Sequence, residues 1–484
     1  MLDIPDSLLI DGRWRNKASG GRLELVEPAT EEVWCAVPAA GPKEVDEAAE
    51  AAARAFKKAD WANVSPAHRA EVLFRLAALI REHAEELAVL ESRNVGKPIG
   101  DSRGEVLAGA ACFEYYAGGI SRFCGETIPV ADEGFDYTLR VPIGVVAAIV
   151  PWNFPFPMAC WKSAPALATG NAVLLKPASL TPLTALALGR LAMEAGVPPG
   201  ILQVVPGRGS EIGDHLVSHP LVRKIALTGE TETGVHIMKL AADDLKRVSL
   251  ELGGKNPNII FADADVEAAA AAAPLATFGN AGQDCCARSR VLVEMSVYDD
   301  FLEAFVEATR ALVVGDPLDE STQVGPMVSA GQRERVEQYI ELARTEGGRI
   351  LCGGDRPKEP GWYLTPTVVD GLPPSSRVCT EEIFGPVASV IPFRDEAEAV
   401  ALANDTSYGL SASLWTRDLE RALRVARAVE SGVLSVNTNH SVHVEAPFGG
   451  FKRSGFGRDL GMEAMRLYTE VKNIFISVRS AEES

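Results

Sequence analysis

The sequence predicts an α/β fold of two doubly wound domains with a small additional β element. Three observations carry that expectation. From Gly144 the chain alternates short β-branched or apolar runs, at 145–150, 172–175, 202–205 and 224–227, with helical stretches. Such alternation marks a parallel sheet covered by helices on both faces. A second alternating series follows Glu251, at 258–261, 290–294, 349–352, 388–392, 411–415 and 432–436. Residues 126–130 and 137–141 read as a strand pair around Asp132-Glu133-Gly134. A two-stranded ribbon is marginal alone, so it must pack on something, a neighbouring subunit included.

The remaining elements follow in chain order. Residues 8–10 and 23–26 are strand candidates, separated by Asp11-Gly12 and Gly20-Gly21. From Pro42 to Asn94 the apolar residues keep helical spacing, as in Val45, Ala48, Ala49, Ala52 and Phe56. Another helix is expected from Asp101 to about Gly118. The alanine-rich run 264–273 is helical by propensity and is expected to end at Pro274. A last strand candidate covers 473–477.

Composition narrows the class. At 484 residues, two or three domains are expected. A hydrophobic content of 47% with 23% charged residues describes a soluble globular protein. A formal net charge of −19 opposes a nucleic-acid or anionic-membrane partner by repulsion. Residues 1–6 have no basic or long apolar segment, so no secretory signal is expected. No uninterrupted apolar stretch is long enough to span a bilayer; the nearest, 143–150, is strand-sized. The eight cysteines are scattered, with only Cys285 and Cys286 close together, which suits neither a disulfide framework nor a zinc site. A cytoplasmic home and no resident metal are expected.

Several motifs carry chemistry. Asn280-Ala281-Gly282-Gln283-Asp284-Cys285-Cys286-Ala287 places a thiol at the far side of a small-residue turn, as a nucleophile requires. Pro151-Trp152-Asn153-Phe154-Pro155 follows a buried strand, where ligand sites of open α/β sheets gather. Lys176 ends another strand. Gly207 to Gly213 has GxGxxxG rather than GxGxxG spacing, weak evidence for a dinucleotide site. Thr228-Gly229-Glu230 repeats the strand–glycine–helix layout, and Glu251-Leu252-Gly253-Gly254-Lys255 ends a strand with a carboxylate.

Taken together, these stretches closely resemble the aldehyde dehydrogenase superfamily over nearly the whole chain. The pairing of Glu251-Leu252-Gly253-Gly254-Lys255 with Gly282-Gln283-Asp284-Cys285 is the most specific part. Glu381-Glu382-Ile383-Phe384-Gly385-Pro386-Val387, Pro447-Phe448-Gly449-Gly450 and Ser454-Gly455-Phe456-Gly457-Arg458 add independent matches. The resemblance implies NAD(P)-dependent oxidation of an aldehyde to its acid. It implies Cys285, not Cys286, as nucleophile, Glu251 as general base, Asn153 as oxyanion donor and Lys176 as an assisting, ribose-contacting group. It places Val150, Trp152, Lys176, Ser179, Gly209, Gly229, Glu230, Leu252, Glu382 and Phe384 along the nucleotide. It further implies a cofactor domain at 1–119 and 143–253, a catalytic domain at 254–466, and an oligomerisation element at 120–142 and 467–484. The assembly would be a homodimer or homotetramer.

Two departures bear on cofactor choice. Ser179 stands where many NAD-selective members have Glu, which removes a repulsion against a 2′-phosphate and admits NADP. Glu230 replaces a frequent Ser, which is unfavourable beside a pyrophosphate unless it points away. NAD stays first. For substrate, Cys112-Phe113-Glu114-Tyr115-Tyr116-Ala117-Gly118 resembles betaine- and amino-aldehyde dehydrogenases. Glu105 supplies one upstream acid, but Ala108 stands where a second is expected. Aromatic side chains suit a cation or an uncharged aldehyde alike. Trp161 lies in a segment where semialdehyde-oxidising members tend to have an Arg, and none stands there; His440, His443 and Glu445 are expected in the pocket wall. Two rivals remain: a CoA-acylating enzyme, against which Glu251 counts, and a non-catalytic protein on the same fold.

Overall fold

The computed structural model describes residues 6–58 and 61–478; the reading of residues 1–5 lies outside them. An eight-stranded sheet runs in the order Gly455–Phe456, Arg247–Glu251, Val222–Thr228, Val145–Ile149, Ala172–Lys176, Leu202–Val204, Leu8–Ile10, Arg13–Arg15. Its five central strands are parallel, and the flanking pairings are antiparallel. Strand order reverses at Val145–Ile149: the next two strands lie on one side, the following two on the other. A crevice opens at the carboxyl end of such a switch point. Pro151-Trp152-Asn153 emerges there.

A seven-stranded sheet follows, ordered Arg349–Cys352, Thr367–Asp370, Val387–Phe393, Arg290–Glu294, Pro257–Ile260, Ser411–Trp415, Val433–Val436. All its pairings are parallel except the first. Each sheet has its own apolar core. The short strand Gly455–Phe456 returns to the first sheet, pairing Leu250 with Phe456 and Glu251 with Gly455. The ribbon is a three-stranded sheet of Thr127–Ile128, Gly134–Pro142 and Thr469–Ser477, longer than the sequence suggested. Phe135, Leu139, Val471, Phe475 and Ile476 are exposed on it.

The helical stretch 42–94 divides into Pro42–Lys58, Pro66–Glu82 and Ala84–Val95. Ser65 accepts the His68 N–H at 3.2 Å ahead of Pro66, a cap that contributes about 1 kcal/mol. The helix Val266–Phe278 does not stop at Pro274, which sits buried inside it. Proline removes one helical donor. Carbonyls on either side of it also accept bonds from outside the helical ladder: Thr277 Oγ1 donates to Ala273 O and Arg288 N to Ala276 O. The helix Pro155–Ala168 is buried almost throughout, which its apolar sequence anticipates with one exception, Lys162.

Candidate active site

The turn before Cys285 is bent by three consecutive left-handed residues, Asn280 (φ 50°), Ala281 (φ 55°) and Gly282 (φ 67°). Only glycine fits at 282, because a Cβ there would lie 2.2 Å from Gly385 O. The Asn280 side chain holds the bend by donating to Asn153 O at 3.0 Å and Gln283 O at 3.2 Å. Asn256 Nδ2 donates to Cys285 O at 2.7 Å and Ala287 O at 3.0 Å, anchoring the turn to the second sheet. A Cβ on Gly254 would meet Cys285 O at 2.4 Å, so the segment after Glu251 also requires glycine there. Asn153, itself buried, donates from Nδ2 to Gln283 O at 2.9 Å. That bond uses one amide hydrogen and leaves the other.

These elements enclose a cavity of about 760 Å³. Asn153, Glu251 and Cys285 all line it, with Trp152, Gly229, Glu230, Leu252, Glu382 and Phe384. The first sheet supplies Asn153 and Glu251 from its carboxyl edge, and the turn leading into the second sheet supplies Cys285. Val150, Lys176, Ser179 and Gly209 lie outside this wall. Val150 and Lys176 are buried, with Lys176 Nζ donating to Pro177 O at 3.2 Å beside a small void. Ser179 is half-buried, and Gly209 is exposed at the start of the helix Gly209–Ser218. Trp152 and Phe384 meet edge-to-face at 5.2 Å, as do Trp161 and Phe448 at 5.3 Å.

The electrostatics separate the titratable groups. Glu251 is 4% exposed and neither carboxylate oxygen has a hydrogen-bond partner. Burial, then the Asp459 charge, pushes its carboxyl well above the usual range. Glu382 is pushed up to about 7 by burial, although Oε1 accepts the Gly254 N–H at 2.9 Å. The hydrogen bond with the Cys286 thiol, then burial, raises the Cys285 thiol. Burial lowers the Lys176 ammonium to about 8. Thr228 Oγ1, also on the cavity wall, is buried without a partner. An unpartnered hydroxyl, a carboxylate with one engaged oxygen and two aromatic faces fit the ribose and flat ring of a nucleotide.

Sequence reasoning missed several charged residues here. Lys162 and Asp459 form a buried ion pair at 2.9 Å, and Asp459 lines the cavity. A lone Lys in an otherwise apolar helix was the available signal, since such a charge must be paired. Arg335 lines the cavity and approaches Glu230 at 3.7 Å, giving that carboxylate a counter-charge. Glu105 does line the cavity, but the fully buried Lys97 is paired with it, and Lys97 Nζ also lies 3.8 Å from the Phe154 ring centroid. Asp101, one helical turn earlier, lines the same mouth; the sequence reading named only Glu105. Of the loop residues, His440 reaches the cavity wall, and its ring meets that of His443 at 4.9 Å.

Comparison with known proteins supplies the relationships. The aldehyde dehydrogenase family model matches residues 14–474. Betaine aldehyde dehydrogenase 1 of Oryza sativa is 44% identical over 476 residues, covering 96% of this chain and 94% of its own. PnpE, solved from Pseudomonas sp. WBC-3, is 44% identical in a complex with nicotinamide adenine dinucleotide, covering 99% of this chain and 98% of its own, with a TM-score of 0.96. Betaine aldehyde dehydrogenase of Staphylococcus aureus, in complex with NAD+, is 38% identical with a TM-score of 0.96 and covers 99% and 96%. With a family model spanning most of the sequence and relatives alike from end to end, the chain belongs to the aldehyde dehydrogenase family.

Proposed function

We propose that this enzyme oxidises an aldehyde to a carboxylic acid with NAD, through a covalent intermediate on Cys285. The carrying observation is that Cys285, Glu251 and Asn153, far apart in sequence, line one cavity. The Cys285 thiolate attacks the carbonyl carbon. The second amide hydrogen of Asn153 faces the oxygen that becomes an alkoxide, a donor typically worth roughly 3 kcal/mol. Bound NAD supplies the hydride acceptor. The resulting thioester on Cys285 is hydrolysed by water whose proton Glu251 takes. Glu382, Thr228, Trp152 and Phe384 would hold the ribose and ring. The buried Lys162–Asp459 pair behind Glu251 gives the proton a charged neighbour to leave towards. A CoA-acylating reaction has no use for an acid placed as Glu251 is.

The substrate reading is an aldehyde with a cationic amine or trimethylammonium tail. Asp101 and Glu105 stand four residues apart on one helix at the cavity mouth, and aromatic rings line the path inward. Similarity to betaine aldehyde dehydrogenases supports it. An uncharged aromatic aldehyde is the second reading, favoured by Lys97, which neutralises Glu105. NADH production with betaine aldehyde, 4-aminobutyraldehyde and benzaldehyde decides between them. A preference for benzaldehyde overturns the cationic reading. Cys285→Ala should lower turnover at least about 10⁴-fold while NAD binding persists; substantial residual turnover overturns the nucleophile.

The exposed apolar ribbon is assigned to a homo-oligomer interface, since such a patch on a monomer invites a partner. No helix among the described residues is long and apolar enough to cross a membrane. All eight cysteines are free, which suits a reducing cytoplasm.

A further inference from the structure

Asp284, Cys285 and Cys286 present a carboxylate oxygen and two sulfurs within 4.8 Å of one another. Only Cys285 has a part in the reaction above. Asp284 Oδ1 accepts the Cys286 N–H at 2.8 Å, which fixes the carboxylate beside both thiols. All three residues face the cavity. We propose that they form a binding site for a thiophilic divalent cation, such as Zn²⁺ or Cd²⁺, whose occupation blocks the nucleophile. The blocking rests on the Cys285 assignment; the binding does not.

The donor set is apt. Two thiolates select soft or borderline cations, and one carboxylate completes a three-ligand face. Metal–sulfur bonds of about 2.3 Å and metal–oxygen bonds of about 2.0–2.2 Å put ligand atoms about 3.4–3.8 Å apart. From separations of up to 4.8 Å, the side chains therefore need to draw in by at most about 1.4 Å, which half-buried groups on a cavity wall allow. On binding, two metal–sulfur bonds form, and the two thiol protons pass to solvent. The fourth position opens into the cavity for water. Arg288, whose guanidinium reaches Cys286 O, opposes the cation, whereas Glu251 and Glu382 on the same wall favour it.

The test uses full-length reduced protein carrying Cys124→Ser, which removes the exposed thiol. Cd²⁺ binding is followed by equilibrium dialysis and by thiolate-to-cadmium charge-transfer absorbance, without NAD or aldehyde. One Cd²⁺ per chain is expected. Cys286→Ser and Asp284→Asn should each weaken it at least about tenfold, and Cys285→Ala likewise. Zn²⁺ inhibition, normalised to each variant's own metal-free rate, should shift at least about tenfold in Cys286→Ser and be reversed by a chelator. Equal Cd²⁺ affinity in Cys286→Ser, or a band surviving loss of both cysteines, overturns the site. Turnover retained by Cys285→Ala overturns the nucleophile instead, leaving the Cys286 dependence of Cd²⁺ binding intact.

Discussion

Glu251, buried, and Glu382, half-buried, are carboxylates on one cavity wall, yet they are built differently. Glu382 is tied to the Gly254 backbone N–H and rises only to about 7. Glu251 has no hydrogen bond on either oxygen and rises well above the carboxylate range. A hydrogen bond to the charged form holds a carboxylate in place and keeps it acidic. Withholding that bond leaves the ionised carboxylate unsatisfied, so that it gains by taking a proton, as a base must. The first arrangement suits holding a ligand; the second suits general-base catalysis.

The widest separation between them should come from Glu251→Gln. It should lower steady-state turnover by about 10²–10⁴-fold yet leave a burst of NADH equal to the enzyme present. Glu382→Gln should keep turnover after the burst. Wild-type turnover in Glu251→Gln erases the distinction. Next, Lys162→Met should cost about 3–5 kcal/mol in denaturant unfolding, because it strands Asp459 as a buried unpaired charge. An unchanged midpoint would mean that water already reaches that pair.

The pH dependence sharpens the contrast further. Thioester hydrolysis, isolated in single-turnover experiments, should quicken as pH rises through the elevated Glu251 pKa, since the base must be ionised. Stability runs the other way. A folded-state pKa above the unfolded value means that the native protein holds more protons. The associated stability is complete below the unfolded pKa and lost as pH rises towards the folded one. Glu251→Gln should therefore be more stable than wild type at alkaline pH while less active; equal unfolding midpoints there count against the raised pKa. The smallest effect belongs to Glu382→Gln, expected to raise KM for NAD about tenfold with the burst amplitude retained. A changed burst amplitude instead would give Glu382 a part in the chemistry.

Much of this was legible in sequence because it is local. The strand Val145–Ile149 is a continuous apolar run, which stands out in the sequence. The Cys285 turn and the glycines after Glu251 announce themselves by composition. What sequence hid was pairing across distance. Nothing local says that Lys162 meets Asp459, or that Lys97 spends Glu105. Pro274 read as a helix stop, yet the helix runs through it, buried, and no local signal distinguishes that case. Gly455–Phe456 is too short to signal a strand, yet it closes an edge of the first sheet.

That closing strand also dictates an order of assembly. As the chain leaves the ribosome, Arg247–Glu251 is the outer rail of a sheet whose unpaired backbone groups are available to any passing strand. Its rightful neighbour is translated only after the whole second sheet. Glu251 therefore acquires its final backbone setting near the end of synthesis, and a prematurely terminated chain would carry a sticky border in place of a working enzyme.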